Sequence, residues 1–339
     1  MRTEAIDQLV ERFLSSTPGH KQIVSLGAGT DTRYWRLQAK DLTAHLHYHE
    51  IDFPKVSANK YAAIRASPRL SPHGSVFSQL HKTNNRDAYK ETWGCGAKAE
   101  HVGYYFHPLD LRVLGEESFS SDKLPSRRMT KDFDLALNLL HPTIPTLIIS
   151  ECCLCYMETS MANKIIAYFT SRLVNVGIVL YEPTNPNDDF GQMMFKNLGS
   201  RHLSMPTVHA YPDFGSQRSR LRQFGFSSGQ RAVDIDWLWE NWIMPEERER
   251  VDELEGLDEV EEWKLLAGHY GVAWGWRERN MCKAFSRAWG DLCDEDEVVI
   301  PASQDVQISD EPDDEVPADW AEFEAWMDDE SSETDLGES

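Results

Sequence analysis

The sequence lacks the features that place a protein in a membrane or hold it together with disulfides. It contains no run of about 18 apolar residues, so no transmembrane helix is predicted. Its N-terminal segment is charged and amphipathic, without the uninterrupted apolar stretch of a signal peptide. Its six cysteines show no spacing typical of a disulfide framework. These absences predict reduced thiols, a cytoplasmic location and no membrane partner.

Basic residues are missing from the C-terminal segment. Residues 291–339 contain 20 Asp and Glu and no Lys or Arg, while residues 1–290 contain 36 acids and 34 bases. The net charge of −22 therefore belongs almost entirely to an acidic tail at 291–339, which is predicted to be disordered. Because the remaining body is nearly neutral and nucleic-acid binding needs a clustered basic surface, no nucleic-acid partner is expected.

Apolar segments alternate with helical patterns along the first half of the chain. The helical patterns lie at 4–16, 55–65 and 159–173. The strand-like segments lie at 22–29, 46–54, 102–111, 146–156 and 175–183, with late strands predicted at 271–278 and 280–286. This alternation predicts an α/β fold with a doubly wound, mostly parallel sheet.

A glycine turn and three carboxylates fall at successive strand ends. Gly27 and Gly29 follow the first strand, and Asp52, Asp110 and Glu151 end the next three. Ligands of doubly wound sheets bind in the crevice outside the carboxyl ends of the strands, where these residues are expected to meet. Asp52 lies near the spacing from Gly29 at which an acid meets a nucleoside ribose. The alternative is that each acid is a solvated strand-end or turn residue.

The glycine turn is an incomplete dinucleotide fingerprint, because no third glycine follows Gly29 at the required spacing. Asp31 also stands where a pyrophosphate would approach the helix N-terminus, and it would repel that anion. A nicotinamide cofactor is therefore disfavoured. S-adenosylmethionine fits better, because it has a ribose, no phosphate, and cationic groups that suit a crevice lined by acids.

Five motifs in collinear order resemble the leucine carboxyl methyltransferase family. They are IVSLGAGTDTRYWRL, YHEIDFP, LDLR, ISECCLCYM and YEPTNPNDDFGQMMFKNL. The resemblance runs from about residue 2 to about residue 285 and implies a class I S-adenosylmethionine-dependent methyltransferase with an added helical lid and substrate region. The implied reaction methylates the C-terminal leucine carboxylate of the type 2A protein phosphatase catalytic subunit, which is the implied partner of a monomeric enzyme.

The resemblance also implies a division of the chain and the roles of individual residues. The methyltransferase domain would span 1–290, with a nucleoside-binding sheet at about 20–183 and substrate-side insertions at about 184–270. The implied cofactor-binding residues are Gly27, Gly29, Asp52, Asp110, Leu111 and Glu151. Asp52 would hold the ribose, Asp110 and Leu111 the adenine, and Glu151 would lie near the methionine moiety. Tyr156 is the implied catalytic residue, on the path to the substrate carboxylate.

One part of the family pattern is missing from the sequence. The family carries a Lys and an Arg-Gly pair before its first helix, whereas this chain begins at Met1-Arg2-Thr3. Either the sequence is that of a truncated product, or another cation substitutes, for which Arg2, Arg33 and Arg201 are the candidates. Two alternative functions remain open at this point. One is a related carboxyl methyltransferase acting on a modified tRNA base or a small-molecule acid, and the other is a catalytically impaired phosphatase-binding protein.

No metal site is predicted. Cys152 and Cys155 have metal or redox spacing, but they lie in a predicted buried strand without a partner pair and are expected to act as small apolar residues. His45, His47 and His49 alternate along one segment, which would place them on one strand face. An edge-strand or surface location is the expected explanation for them, and a shared metal face is the alternative.

Overall fold

A computed structural model describes residues 1–67, 70, 78–81, 92–96, 103–117, 140–254, 260–279 and 281–293. The strands are β1 (Lys21–Leu26), β2 (Leu46–Asp52), β3 (Ser78–His81), β4 (Thr92–Gly96), β5 (Gly103–Pro108), β6 (Thr146–Glu151), β7 (Val176–Pro183), β8 (Gly229–Asp234) and β9 (Tyr270–Arg277). The predicted acidic tail lies outside the described residues beyond position 293, and the division into a domain and a tail stays a prediction.

Helices cover both faces of the sheet and follow most of its strands. They are α1 (Arg2–Ser15), α2 (Arg33–Ala39), α3 (Pro54–Ala66), α4 (Arg112–Glu117), α5 (Thr159–Arg172), α6 (Asp189–Gly199), α7 (Pro206–Ala210), α8 (Phe214–Gln223), α9 (Ile235–Trp242), α10 (Pro245–Leu254), α11 (Val260–Gly268) and α12 (Ala284–Trp289). Within the described ranges, none of these helices has the length and apolar character needed to cross a bilayer.

The strands form one nine-stranded sheet in the order β3-β4-β5-β2-β1-β6-β7-β9-β8. Its five central strands, β5 to β7 in that order, are parallel, while β9 runs antiparallel between β7 and β8. The predicted α/β fold with a mostly parallel, doubly wound sheet is confirmed. All five early strand predictions and the strand at 271–278 correspond to observed strands.

The strand predicted at 280–286 is wrong, because this part of the chain leads into helix α12. Its buried residues are Ala284, Phe285, Ala288 and Trp289, whose spacing follows a helical face rather than strand alternation. Phe285 stacks on Phe13 of α1 with ring centroids 4.6 Å apart. Trp289 Nε1 donates a 3.0 Å hydrogen bond to the carbonyl of Leu9. Helix α12 is therefore held by packing against α1, a contact between the two ends of the described chain.

The core has two layers because alternate residues of the buried strands point to opposite faces of the sheet. Ile23 of β1 belongs to the cluster that includes Phe13 of α1 and Phe285 of α12. The next residue, Val24, belongs to the cluster on the other face, which includes Ile165 and Phe169 of α5. Because both faces are covered, β1 is buried along its whole length, including its polar residues Lys21, Gln22 and Ser25.

Two histidines of β2 lie inside the molecule, so the expected edge or surface location is wrong for them. His47 and His49 are buried because β2 is a central strand between β1 and β5, whereas His45 precedes the strand and is exposed. His49 Nδ1 lies 2.9 Å from Nε2 of His107 on β5. Burial lowers the pKa of His107 to about 3, so these paired rings are neutral. Among the described residues, no cluster of three or more His, Cys, Asp and Glu side chains is arranged to hold a metal.

A buried ion pair lies on the opposite face of β2. Glu50 is 3 % exposed, and its carboxylate accepts a 2.7 Å bond from Nζ of Lys60 on α3. Burial raises the pKa of Glu50 to about 7, and the charge of Lys60 opposes that shift only in part. Folding therefore places an unusually basic carboxyl beneath α3, which gives the stability of the protein a pH dependence between about pH 4.5 and pH 7.

The register of the sheet brings the candidate site residues to one edge. Leu26, the last residue of β1, pairs with Ile51 of β2 and Ser150 of β6. Asp52 of β2 pairs with Pro108 of β5. The chain therefore leaves four neighbouring parallel strands at the same level, which is the position of the ligand crevice in a doubly wound sheet.

Candidate functional site

The turn after β1 depends on two glycines with left-handed backbone conformations. Gly27 has φ +60° and Gly29 has φ +48°. A Cβ on Gly27 would lie 2.6 Å from Sγ of Cys153, whereas a Cβ on Gly29 would meet nothing within 4 Å. Gly27 is therefore required by packing inside the protein, and Gly29 borders open space where a ligand can approach the backbone.

Asp52 closes the glycine turn from the end of β2. One oxygen of its carboxylate, Oδ2, accepts a 2.7 Å bond from the amide of Gly29, and Oδ1 accepts a 2.7 Å bond from the amide of Phe53. Burial raises its pKa, and the two amide bonds counteract that shift. Each carboxylate oxygen keeps a lone pair after one bond, so Asp52 can accept the two hydroxyls of a ribose at the open side of Gly29.

Asp110 and Leu111 follow β5 on the other side of Asp52. The carboxylate of Asp110 accepts a 2.7 Å bond from Nη2 of Arg112 and a 3.0 Å bond from the amide of the same residue. Leu111 is 5 % exposed and belongs to the apolar cluster on its face of the sheet. A charge-neutral pair beside an apolar side chain suits a flat, uncharged heterocycle such as adenine.

Glu151, at the end of β6, is held by two arginines. Its Oε1 lies 2.8 Å from Nε of Arg2, and its Oε2 lies 3.3 Å from Nη2 of Arg33. Arg2 is 53 % exposed in its side chain, and its guanidinium lies 5.5 Å from the ring centroid of Tyr181. Arg2 and Arg33, two of the three candidate cations, therefore meet at the cofactor edge. The third candidate, Arg201, lies in the turn after α6. In the part of the chain that the structure describes, it makes no contact with Glu151.

The buried guanidinium of Arg33 organises this edge. Its side chain is 1 % exposed, and it bonds Asp7 at 2.7 Å and Asp31 in addition to Glu151. Burial disfavours its charge, but Tyr48, Asp31 and Asp7 around it outweigh that effect and raise its pKa. Arg36 adds a 2.8 Å bond to Asp7. The sequence predicted an anionic crevice, whereas the structure shows Asp31, Asp110 and Glu151 each paired with an arginine.

Tyr156 lies in the 3₁₀ turn that follows β6. It is half-buried and packs against the small apolar cluster of Cys155, Met205 and Val208. Burial raises its pKa, so its phenol keeps its proton at neutral pH. Tyr156 can therefore donate a hydrogen bond to an anionic group but does not serve as a base.

The cysteines beside Tyr156 are free thiols that fill the turn. Cys152 adopts φ +48°, an uncommon conformation for a residue with a side chain, directly after Glu151. Burial raises the pKa of Cys153, so its thiol is neutral and behaves as a small apolar group beneath Gly27. Local strain at this point is typical of functional sites, where the surrounding fold holds an unfavourable backbone in place.

Sequence reasoning missed Asp7 and Arg36, which support the site from α1 and α2. Asp7 is 9 % exposed and binds both Arg33 and Arg36. Its position on the otherwise apolar face of α1, between Ile6 and Leu9, was the available signal, because a buried carboxylate requires a cation. The arginines that satisfy it lie on a different helix, so the sequence did not identify the pair.

The fold and the site together define a class of enzyme. The parallel sheet ends in an antiparallel strand inserted between β7 and β8, and its crevice offers an open glycine turn, a ribose-binding acid and an apolar adenine position. The turn lacks the third glycine of a dinucleotide fingerprint, which fits a nucleoside without phosphates. The protein is a class I methyltransferase whose cofactor is S-adenosylmethionine.

Comparison with known proteins identifies the family. The family model described as leucine carboxyl methyltransferase matches residues 1–170. The chain is 43% identical to leucine carboxyl methyltransferase 1 of Emericella nidulans over 310 residues, which cover 86% of this chain and 76% of that protein. It is also 43% identical to the protein of the same name from Aspergillus fumigatus, covering 81% of this chain and 70% of that protein. The chain belongs to the leucine carboxyl methyltransferase family.

A second kind of relative shares most of the chain. The chain is 32% identical to tRNA wybutosine-synthesizing protein 4 of Rattus norvegicus over 313 residues. The match covers 91% of this chain but only 40% of the rat protein. Sequences related to this chain therefore occur in proteins with different names, so similarity alone does not identify the substrate.

Proposed function

We propose that this methyltransferase esterifies the C-terminal leucine carboxylate of the type 2A protein phosphatase catalytic subunit. The observation that supports a carboxylate acceptor is the state of the acids at the site. Asp110 and Glu151 are held by arginines, and Asp52 is held by the amides of the glycine turn. An acceptor that is already ionised at neutral pH, such as a C-terminal carboxylate, needs none of them as a general base.

The residues of the crevice would position the reactants. S-adenosylmethionine, when bound, supplies a methyl group on a cationic sulfur. Asp52 would orient the ribose and Leu111 would contact the adenine, while Glu151 would attract the amino group of the methionine moiety. Arg2, partly exposed and fixed by Glu151, is placed to pair with the carboxylate of that same moiety. Alignment of donor and acceptor then accounts for much of the acceleration.

Aromatic residues would exclude water from the acceptor. Tyr181 is buried and stacks on Tyr270 with ring centroids 5.5 Å apart, beside the guanidinium of Arg2. Tyr156 retains its phenolic proton and can donate it to the incoming carboxylate as a hydrogen bond. Removing water from that carboxylate raises its reactivity as a nucleophile, because its solvation shell is replaced by a few fixed donors.

The phosphatase would dock on the substrate-side insertions at about 184–270. Exposed large apolar side chains concentrate there, at Met244, Leu254, Val260, Leu265 and Leu266. A group of exposed apolar side chains is typical of a protein–protein contact surface. Replacing Leu265 and Leu266 by Gln is expected to weaken capture of the phosphatase. The same change at Met281, which is 92% exposed on a different segment, serves as the matched control. We place the enzyme in the cytoplasm as a monomer.

Methyl transfer from labelled S-adenosylmethionine tests the proposed substrate. Purified type 2A phosphatase is expected to take up label that alkali releases as methanol, as an ester requires. Phosphatase lacking its final leucine is expected to take up none. Equal labelling of the two would refute the assignment of the acceptor.

A tRNA nucleoside with a carboxyl side chain is the second candidate acceptor, and the similarity to the rat tRNA wybutosine-synthesizing protein is the observation that favours it. The near balance of 36 acids and 34 bases in residues 1–290 argues against it, because tRNA binding needs clustered positive charge. Label transferred to tRNA but not to phosphatase would establish this alternative.

A further inference from the structure

A second cavity lies at the opposite edge of the sheet from the cofactor crevice. It has a volume of about 500 Å³ and is bordered by the C-terminal turns of α5 and α8 and by the end of β9. Arg277, in its wall, pairs with Val176 at the start of β7, whereas the cofactor edge is reached at Pro183. At about 3.3 Å per residue, the eight residues of β7 separate the two sites by roughly 23 Å.

Three arginines line this cavity: Arg172, Arg277 and Arg279. No acidic residue is among the described residues that line it, and none of the three arginines forms an ion pair with a described carboxylate. Like charges gathered without a counterion cost free energy in the folded protein. Residues 1–290 contain 36 acids for 34 bases, so composition does not explain why no described carboxylate lies beside these three arginines.

Arg277 is the fixed member of the group. Its Nη2 donates to the carbonyls of Thr170 at 2.6 Å and Leu173 at 2.7 Å, which are free backbone groups at the end of α5. Its Nε is buried and has no hydrogen-bond partner among the residues that the structure describes. Burial lowers the pKa of Arg277, and the neighbouring Arg279 lowers it further. The two bonds that cap α5 use the Nη2 donor of the guanidinium, but they do not explain why its Nε–H group is buried.

The other two arginines are exposed at the rim. Arg172 lies over the ring of Tyr168, 3.7 Å from its centroid, and its hydrogen bonds to the Tyr168 carbonyl and the Ser171 hydroxyl are both long, at 3.4 Å. Arg279 is held by its backbone amide, which donates to Asn175 Oδ1 at 2.8 Å, and its side chain makes no hydrogen bond to a described residue. The negative ends of the α5 and α8 dipoles amount to about half a charge each and together offset only part of three full charges.

We propose that this cavity binds a phosphate dianion, presented either as a free phosphoryl compound or on a phosphorylated side chain. Three guanidinium groups with unused N–H donors match the geometry and charge of a phosphate. Because this cavity and the cofactor crevice lie at opposite ends of the strands, phosphate and S-adenosylmethionine can bind the protein at the same time.

Calorimetric titration of the full chain with inorganic phosphate, at constant ionic strength, tests the proposal. We expect saturable binding whose Kd rises at least about tenfold in the Arg172→Gln, Arg279→Gln double variant, because two charge-assisted contacts are lost. Both side chains are exposed, so the fold is retained, and an unchanged Kd for S-adenosylmethionine verifies that. Arg65→Gln, an exposed arginine on α3, is the control of equal charge change and is expected to keep phosphate affinity.

A short alanine peptide with one phosphoserine, compared with its unphosphorylated twin, identifies the source of the phosphate. Tighter binding of the phosphopeptide than of inorganic phosphate assigns the site to a phosphorylated protein, and equal or weaker binding assigns it to free phosphoryl compounds. Absence of saturable phosphate binding, or an equal loss in the Arg65→Gln control, overturns the proposal.

Discussion

The two glycines of the cofactor turn provide a paired test of the site, because the structure gives them different reasons to be glycine. Both have positive φ, so Ala at either position carries backbone strain of about 1–2 kcal/mol. Only at Gly27 does the added methyl also collide with a neighbour, since it would lie 2.6 Å from Sγ of Cys153. Overpacking of this kind costs about 1–3 kcal/mol more.

Gly27→Ala is therefore expected to destabilise the protein by about 2–5 kcal/mol, and Gly29→Ala by about 1–2 kcal/mol. The entropy that Ala removes from the unfolded chain favours both variants equally and cancels in the comparison. Urea unfolding without cofactor measures the difference. In a Cys153→Ala background the colliding sulfur is gone. The difference in unfolding free energy between Gly27→Ala and Gly29→Ala is then expected to become smaller.

Cofactor binding should rank the same two variants in a different way. The methyl of Gly29→Ala would project into space that is open in the protein and that we assign to S-adenosylmethionine. Gly29→Ala is thus expected to lose affinity for S-adenosylmethionine in calorimetric titration while remaining well folded. If Gly29→Ala destabilises the protein as much as Gly27→Ala, or binds the cofactor normally, the assignment of the two glycines is incorrect.

Three other substitutions probe the remaining parts of the site and its support. Asp52→Ala is expected to abolish measurable S-adenosylmethionine binding in the same titration, because it removes the acceptor for the ribose hydroxyls; unchanged affinity would contradict the role of Asp52. Arg2→Met is expected to raise the Kd for S-adenosylmethionine by about tenfold or more, with partial recovery in Arg2→Lys, since one charge-assisted contact is lost. For Glu50, a folded pKa of about 7 against an ordinary value of 4.5 means that the native state holds the proton more tightly. The free energy of unfolding should therefore fall as pH rises through that window, by at most about 1.4 kcal/mol per pH unit. Glu50→Gln should flatten this pH dependence of the unfolding free energy in urea unfolding, and an unchanged slope would assign the pH dependence to other groups. The same substitution leaves Lys60 without its ion-pair partner, which lowers stability by the same amount at every pH in that window.

The strands of the central sheet were predictable because each is a local signal. A strand buried on both faces, such as Thr146–Glu151, is a short apolar run that ends at a polar residue. β8 gave a weaker signal, because it is only half-buried and contains Gln230 and Arg231. The strand predicted at 280–286 failed because a short apolar run leaves helix and strand undistinguished until a packing partner selects one.

The positions of the cofactor acids were likewise local, but their electrostatic state was not. Asp52, Asp110 and Glu151 could be placed at strand ends by position alone, and parallel strands necessarily bring such residues to one edge. Whether an acid there is free or paired depends on side chains from other elements. Arg2 reaches Glu151 across 149 positions of sequence, and Arg33 binds Asp7 of a different helix.

By itself, the sequence determined the positions of the five central parallel strands along the chain, the edge of the sheet that holds the site and the family to which the chain belongs, because periodicity and motif spacing are properties of neighbouring residues. Only the tertiary structure decided that the site is a network of charges bridged by buried Arg33, that His47 and His49 are interior, and that three arginines gather at the far edge of the sheet. The physical reason is range. Backbone conformation responds to residues within a few positions, whereas burial and ion pairing are set by whatever the fold brings within a few ångströms.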